Sequence, residues 1–405
     1  MSVKKLGIGV GFILVCIVVF IAFRVVRFYQ HITKGSNTVN SAHTATKEQK
    51  TTYNILFMGY GGAGHDGAYL TDTLMIAHVD TKKNEALLVS IPRDLWVKLP
   101  TKSGADFFSK INSVYQMGLY PKTYPDVNIG QDKGTDALKS VVSEVTGITI
   151  DNTIGLDFGG FKKSIDVLGG VDVNVEKTFD DYEYPVDGKE NDLCGKEAEF
   201  AQVEKFMKPG YSEDEKKQLF KDKPELETFF NAITQDPAVA FPCRYEHLHF
   251  NKGITHMDGT TALKYARSRH SLQDGTDFGR AARQQRVIEA VRDKILAVGF
   301  IPKILSLLDT IQDHITMDIG LAQLEQFISE AKDMGKYKIN HLVLSDQNFL
   351  KNSYSDYGGY ILIPRQGIGE WSTIHTSVAA ALDGRMDVAT QEAELATPTA
   401  SSTKK

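Results

Sequence analysis

Apolar and polar positions divide the chain into segments of different character. Leu6 to Phe23 is an almost uninterrupted apolar run of membrane-spanning length, bounded by Lys4-Lys5 and by Arg24 and Arg27. It continues into charged residues with no small-residue cleavage site, so it reads as an uncleaved signal anchor behind a short cytoplasmic end at residues 1–5. Charge on both flanks leaves the orientation open. Residues 24–50 turn polar, as a flexible stalk does. Tyr53 to Gly59, Thr73 to Val79 and Ala86 to Ile91 then read as buried strands, the last two joined by a turn at Asp80 to Asn84.

Helical periodicity follows. Lys110 to Gly118 and Gly134 to Gly147 predict helices, the second with Leu138, Val141, Val142 and Val145 on one face. Phe161 to Leu168 predicts a short helix stopped by Gly169-Gly170, and Val171 to Val175 alternates as a strand. Helices are also expected from Asp258 to Arg269, from Arg280 to Ala297 and twice between Ile301 and Met334. Closing strands are expected at Lys338 to Ser345 and Tyr360 to Pro364. Together these make an α/β fold, a layered α-β-α domain with a central mixed sheet covered by helices. The domain spans 51–345 with a C-terminal extension at 346–384. An insertion at about 180–245 interrupts it, showing only a weak helix near Glu213 to Phe220, and the Ala/Thr/Ser/Glu-rich residues 385–405 read as a disordered tail.

The formal net charge of −5 over 405 residues gives no basis for bulk nucleic-acid binding. Cys194 and Cys243 are the two cysteines outside the anchor. Two readings stand, free thiols or a disulfide that would fit an oxidising, extracytoplasmic location. His247, His249 and His256 lie near Cys243, but without a CxxC pair the sequence argues against zinc.

Basic charge is concentrated in Tyr265-Ala266-Arg267-Ser268-Arg269-His270 and in Asp277-Phe278-Gly279-Arg280-Ala281-Ala282-Arg283-Gln284-Gln285. Arginine presents a permanently charged, planar fork of donors, so the cluster reads as a receiver for phosphate or pyrophosphate rather than a solvated helix face. Arg280 and Gln284 share a helix face, as do Arg269 and Gln273 if that turn is helical. Arg283 and Arg286 are by default helix-surface charges, although Arg283 also stays among the substrate-binding candidates.

With these stretches, the strand ending in Gly59, Leu70-Thr71-Asp72-Thr73-Leu74-Met75, Ser90-Ile91-Pro92-Arg93-Asp94, Lys110-Ile111-Asn112 and Phe161 to Val173 occur in an order that resembles the LytR–CpsA–Psr proteins of bacterial envelopes. The resemblance implies a single-pass protein of the cytoplasmic membrane with its large domain outside the cell. It also implies transfer of a glycopolymer from a polyprenyl-pyrophosphate carrier to a peptidoglycan hydroxyl, forming a phosphodiester with help from Mg2+. On this reading Asp72, at a turn before a buried strand, is the leading magnesium ligand. Arg93, Arg267, Arg269 and Arg280 meet the pyrophosphate, while Gln284, Arg283 and Lys110 bind substrate and Asp277 orients an arginine. The family usually carries a second acidic residue after the first strand. Here Asp66 is the natural substitute as metal ligand, His65 is a possible base or ligand, and an ordinary turn is the equal alternative. The general base stays unassigned. Val114, Phe161, Ile165 and Leu168 are candidates either for a lipid slot or for plain core. Two other functions remain open from sequence: a hydrolase of the same lipid carrier, and a non-catalytic wall-polymer binder or regulator.

Overall fold

A computed structural model of the chain describes residues 50–65, 67–128, 134–298, 310–320, 323, 326 and 335–385. The expected cytoplasmic end, the anchor at Leu6 to Phe23 and nearly all of the stalk lie outside the described residues, as do the tail beyond Arg385 and most of Ile301 to Met334. Among the described residues no helix is long and apolar enough to cross a membrane.

The chain forms two compact units. The first takes the described residues up to Val173, His256–Ala266 and those from Ala281 onward; the second takes Asn174–Thr255 and Arg267–Arg280.

At the centre of the first unit is a six-stranded mixed sheet in the spatial order Ile315–Met317, Asn152–Asp157, Thr52–Tyr60, Thr71–Asp80, Glu85–Ile91, Lys338–Val343. Thr52–Tyr60, Thr71–Asp80 and Glu85–Ile91 form an antiparallel meander. Asn152–Asp157 and Lys338–Val343 are added parallel to its outer strands, as long crossovers permit. Leu56, Met75, Ile76 and Val89 are fully buried, which is why these strands read as continuous apolar runs instead of alternating ones. Ile288 of the helix Asp277–Val298 packs with Phe57 and Ile339 against Met75, Ala77 and Leu88.

The helix Thr135–Thr146 buries Ala137, Leu138, Val141, Val142 and Val145, the face its periodicity predicts. Glycines fix both ends: Gly147 closes it at φ 73°, and Gly134 opens it at φ 93°, where a Cβ would come within 2.7 Å of the Gly118 backbone. The next helix begins earlier than expected, at Phe158, because Asp157 caps it by accepting from the Gly160 amide. The helix expected over Lys110 to Gly118 is shorter. Lys110 ends a strand, Ile111–Ser113 is a 3-10 turn, and only Val114–Leu119 is α-helical. The expected closing strand at Tyr360–Pro364 pairs instead with Leu350–Tyr354 in a separate hairpin.

The second unit covers most of the region expected as an insertion, and it is more regular than its composition suggests. Phe179–Pro185 pairs antiparallel with Tyr245–Phe250. The helices Glu197–Val203, Glu213–Asp222 and Pro224–Gln235 lie between them in sequence, and Val203, Phe206, Phe220 and Leu226 form a buried cluster. Cys194 and Cys243 are joined in a disulfide, which decides between the two readings of these cysteines.

Candidate functional site

The backbone of the first unit brings several predicted residues to one end of its sheet. Thr71–Asp80 starts where Glu85–Ile91 finishes, so Asp72 and Arg93 come to the same end of that hairpin despite the separation of their segments. Gly59 pairs with Thr73 and Tyr60 with Thr71, which leaves Asp72 as the extra residue of a β-bulge. Asp72 is therefore within the strand, not at a turn before it, and the bulge re-aims its side chain away from the regular pleat. Asn152–Asp157 also finishes at this end, giving the edge of carboxyl-terminal strand ends where open α/β sheets commonly bind ligands.

Arg93 Nη1 donates to Asp72 Oδ1 at 2.7 Å, and its Nε lies 3.3 Å from Asp94 Oδ2. Lys110 Nζ donates to Asp94 Oδ1 at 2.5 Å. Asp94 is buried at 5% exposure and links the two cations. Buried charges persist where they are paired. Asp94 thus grips Arg93 from the Nε side and leaves its Nη end directed at Asp72, which is more exposed, at 36% of its side chain. Arg93 and Asp94 form an ion pair whose carboxylate is buried and shared with Lys110.

The glycine-rich loop after the first strand serves close packing. Gly62 has φ 88°, and a Cβ there would meet the Asp157 side chain at 2.9 Å. His65 packs edge-on against Phe158, with ring centroids 5.4 Å apart. Asp66 lies outside the described residues. Val114, Ile165 and Leu168 are buried.

Arg267, Arg269 and Arg280 belong to the second unit. Asp181, at 0% exposure, organises the backbone from Ser268 to His270, which follows Arg267 and includes Arg269. Its Oδ2 accepts from Ser268 Oγ at 2.6 Å and from the amides of Arg269 and His270 at 3.2 Å each, and its Oδ1 accepts from the Glu183 amide at 3.0 Å. Arg267 Nη1 stands 3.6 Å from Asp187 Oδ1, and its guanidinium lies 5.8 Å from the Tyr184 ring centre. Burial pushes the Tyr184 hydroxyl up to about 12, against the pull of Arg267. Arg280 is buried. The segment Ser268 to Thr276 is not helical, so Arg269 and Gln273 do not share a helix face. Gln273 instead accepts from the Asp180 amide through Oε1. The side chain of Asp277 lies outside the described residues.

Arg283 and Gln284 are in the first unit and face inward. Arg283, expected as a surface charge, is 1% exposed and donates from Nε to the Tyr265 carbonyl at 3.1 Å. The helix there packs against Gly259–Arg267, whose last carbonyls need donors, so a guanidinium is buried at that crossing. Gln284 Nε2 donates to the Ala266 carbonyl at 3.3 Å, Gln285 Nε2 donates to Ser90 Oγ at 2.9 Å, and Arg286 is half-buried.

A model of the LytR_cpsA_psr family matches residues 22–362. The chain belongs to this family. The polyisoprenyl-teichoic acid–peptidoglycan teichoic acid transferase TagV of Bacillus subtilis (strain 168) is 26% identical over 298 residues, 73% of this chain and 56% of that relative. The match therefore spans little more than half of TagV's length. The crystal structure of B. subtilis TagV aligns with a TM-score of 0.50 at 22% identity, covering 83% of this chain and 98% of that one. Protein gbs0355 of Streptococcus agalactiae aligns with a TM-score of 0.52 at 17% identity, covering 82% and 88%. These two structures share the mixed α/β fold.

Within this LytR_cpsA_psr member, the part-exposed Asp72 carboxylate at the sheet end is a donor of the kind magnesium takes. Magnesium takes one or two carboxylates and fills its remaining sites with phosphate oxygens and water. Asp72 supplies a hard oxygen 2.7 Å from Arg93 Nη1. Sequence reasoning missed the buried, bridging role of Asp94 and missed Asp181 altogether. Asp94 carried a signal, since it directly follows Arg93. Asp181 carried none, because three of its four partners are 87 to 89 residues away.

Proposed function

We propose that this protein is a membrane-anchored transferase that moves a glycopolymer from a polyprenyl-pyrophosphate carrier to a peptidoglycan hydroxyl. Membership of the LytR_cpsA_psr family and likeness to the teichoic acid transferase TagV support the reaction class. The single observation that carries the reading is the Asp72–Arg93–Asp94–Lys110 network at the open end of the sheet. It offers an exposed carboxylate beside cations held by a buried one. The apolar run Leu6 to Phe23 is the proposed anchor, with the described domain on the outer face of the cytoplasmic membrane.

In the reaction, the acceptor hydroxyl oxygen forms a bond to the phosphorus that carries the glycopolymer. The bridging P–O bond breaks, the lipid leaves as its monophosphate, and the hydroxyl proton passes to a base. Phosphoryl transfer of this kind needs little covalent chemistry from the protein beyond positioning and neutralising oxygens. Asp72 would hold magnesium, which would neutralise phosphate oxygens when bound. Arg93, oriented by Asp94, pairs with phosphate oxygens through its Nη end, and Lys110 adds charge through the same carboxylate. In the second unit, Arg267 and Arg269 are read as receivers of polyanionic substrate.

The test is a transfer assay on the full chain in detergent or vesicles, with a polyprenyl-pyrophosphate-linked sugar polymer, a peptidoglycan fragment and magnesium. Asp72→Asn and Arg93→Ala should each lower turnover by about 10²-fold or more, the scale for removing one charge-stabilising group. Arg93→Lys should rescue little, because an ammonium lacks the planar fork. Turnover unchanged in Asp72→Asn would sink the assignment. Release of lipid phosphate without joined product would favour the hydrolase.

A further inference from the structure

We propose that Asp180, His247 and His249 form a binding site for a zinc-class divalent transition metal on the second unit, separate in chemistry from any magnesium at Asp72. The sequence argues against zinc near Cys243 for want of a CxxC pair, and both cysteines are indeed consumed in the disulfide. The ligand set here is of another kind, and strand pairing assembles it.

His247 and His249 alternate along the strand Tyr245–Phe250, so their side chains point to the same face. Asp180, on the strand Phe179–Pro185, is the register partner of His249. Two imidazoles and one carboxylate thus meet on one side of a two-stranded ladder, and their three ligand atoms lie within 4.8 Å of one another. His249 Nδ1 is 2.7 Å and His247 Nε2 is 2.9 Å from the same oxygen, Asp180 Oδ1. Around a tetrahedral zinc with bonds of about 2.0–2.1 Å, neighbouring ligand atoms stand about 3.3 Å apart. To admit an ion, the two nitrogen–oxygen distances would each lengthen by about half an ångström, a movement open to the two exposed histidines.

The surroundings favour this use. His249 donates from Nδ1 to Asp180 Oδ1 at 2.7 Å and from Nε2 to Asn251 Oδ1 at 3.2 Å, so a metal would replace the Nδ1 proton while Asn251 keeps the other on Nε2. Such an outer hydrogen bond fixes the tautomer of a ligating histidine. Tyr182 stacks on His247 with ring centroids 4.1 Å apart and planes 3° from parallel, which fixes the orientation of the second ring. The Asp180 amide donates to Gln273 Oε1, and the Asp180 carbonyl accepts from the Leu272 amide, so the carboxylate stands on an anchored backbone. Two imidazoles with a carboxylate select zinc and its first-row neighbours over magnesium, which prefers an all-oxygen shell. The cluster is solvent-facing, with both histidines exposed, so a fourth position is open to water or to an acidic group of a bound polymer.

The experiment uses the full chain in detergent, stripped with chelator and then dialysed against buffered free Zn2+, with bound metal counted by mass spectrometry. The wild type should take up one zinc equivalent that excess magnesium does not displace. Cobalt in its place should give visible absorption bands. Affinity should fall at least tenfold in His247→Ala and in Asp180→Asn. His249→Gln should do the same while keeping hydrogen bonds to both neighbours, which separates lost ligation from misfolding. No zinc taken up by the wild type, or equal uptake by wild type and the His247→Ala/His249→Gln double variant, would overturn the site.

Discussion

Replacing Asp181 by alanine should loosen the segment that carries Arg267 and Arg269, even though neither guanidinium touches it among the hydrogen bonds described above. The carboxylate accepts from four donors, Ser268 Oγ and the amides of Glu183, Arg269 and His270, and it is fully buried. Hydrogen bonds to a charged acceptor contribute about 1.5–3 kcal/mol each in net terms, and each donor left buried and unpaired costs about 1–3 kcal/mol. Arg269 is only half-buried and His270 exposed, so water can reach part of the vacated site. A cost of about 3 kcal/mol is the reasoned figure, with Asp181→Asn at about half, since one carboxamide oxygen still accepts. With an m-value of about 2 kcal/mol/M, the urea midpoint should fall by about 1.5 M in the alanine variant. Hydrogen exchange on the peptide containing residues 268–273 reads the same loss locally, as faster exchange confined to that peptide and to the strand Phe179–Pro185. Pyrophosphate affinity should fall together with it. A midpoint within about 0.3 M of wild type and unchanged exchange at Arg269 and His270 would refute the reasoning.

Arg283→Met should be better tolerated than Arg283→Ala. Methionine fills most of the buried volume, whereas alanine leaves a cavity as well as the Tyr265 carbonyl without its donor, at about 3 kcal/mol by thermal unfolding. Reducing the Cys194–Cys243 disulfide, with its sequence separation of 49, should cost the second unit about 4 kcal/mol, measured as the shift in its denaturant transition with and without reductant. The Glu289 carboxyl lies below its usual 4.5, chiefly because His341 donates to it. A lowered carboxylate contributes stability above its unfolded value and loses it as pH falls through the folded one, so His341→Phe should lower the urea midpoint at pH 7 and flatten its decline below about pH 4.5.

The parts of the fold legible in the sequence are those in which local chemistry and burial agree. Thr135–Thr146 has a clean apolar face and a glycine at each end, and the meander strands are apolar runs with turns between them. The region after Phe179 looked patternless because Phe179–Pro185 carries acidic and aromatic residues and finds its partner strand sixty residues later, across a disulfide. At the site, the proximity of Asp72 and Arg93 was an expectation that hairpin topology accounts for, whereas the bulge that re-aims Asp72 depends on register and left no trace in composition. Arg283 misled because arginine on a helix usually faces water; its burial follows from the neighbouring helix terminus it satisfies. The imidazole pair at His247 and His249 was visible as a spacing, but Asp180 joins it only through strand pairing.

The most direct test of the central claim is mass analysis of the product that the wild-type chain forms from polyprenyl-pyrophosphate-linked polymer and a peptidoglycan fragment in the presence of magnesium. The account predicts polymer joined to the glycan through one phosphodiester, with lipid monophosphate released in equal amount. Polymer phosphate released to water with the glycan unmodified, at every acceptor concentration tried, would contradict it.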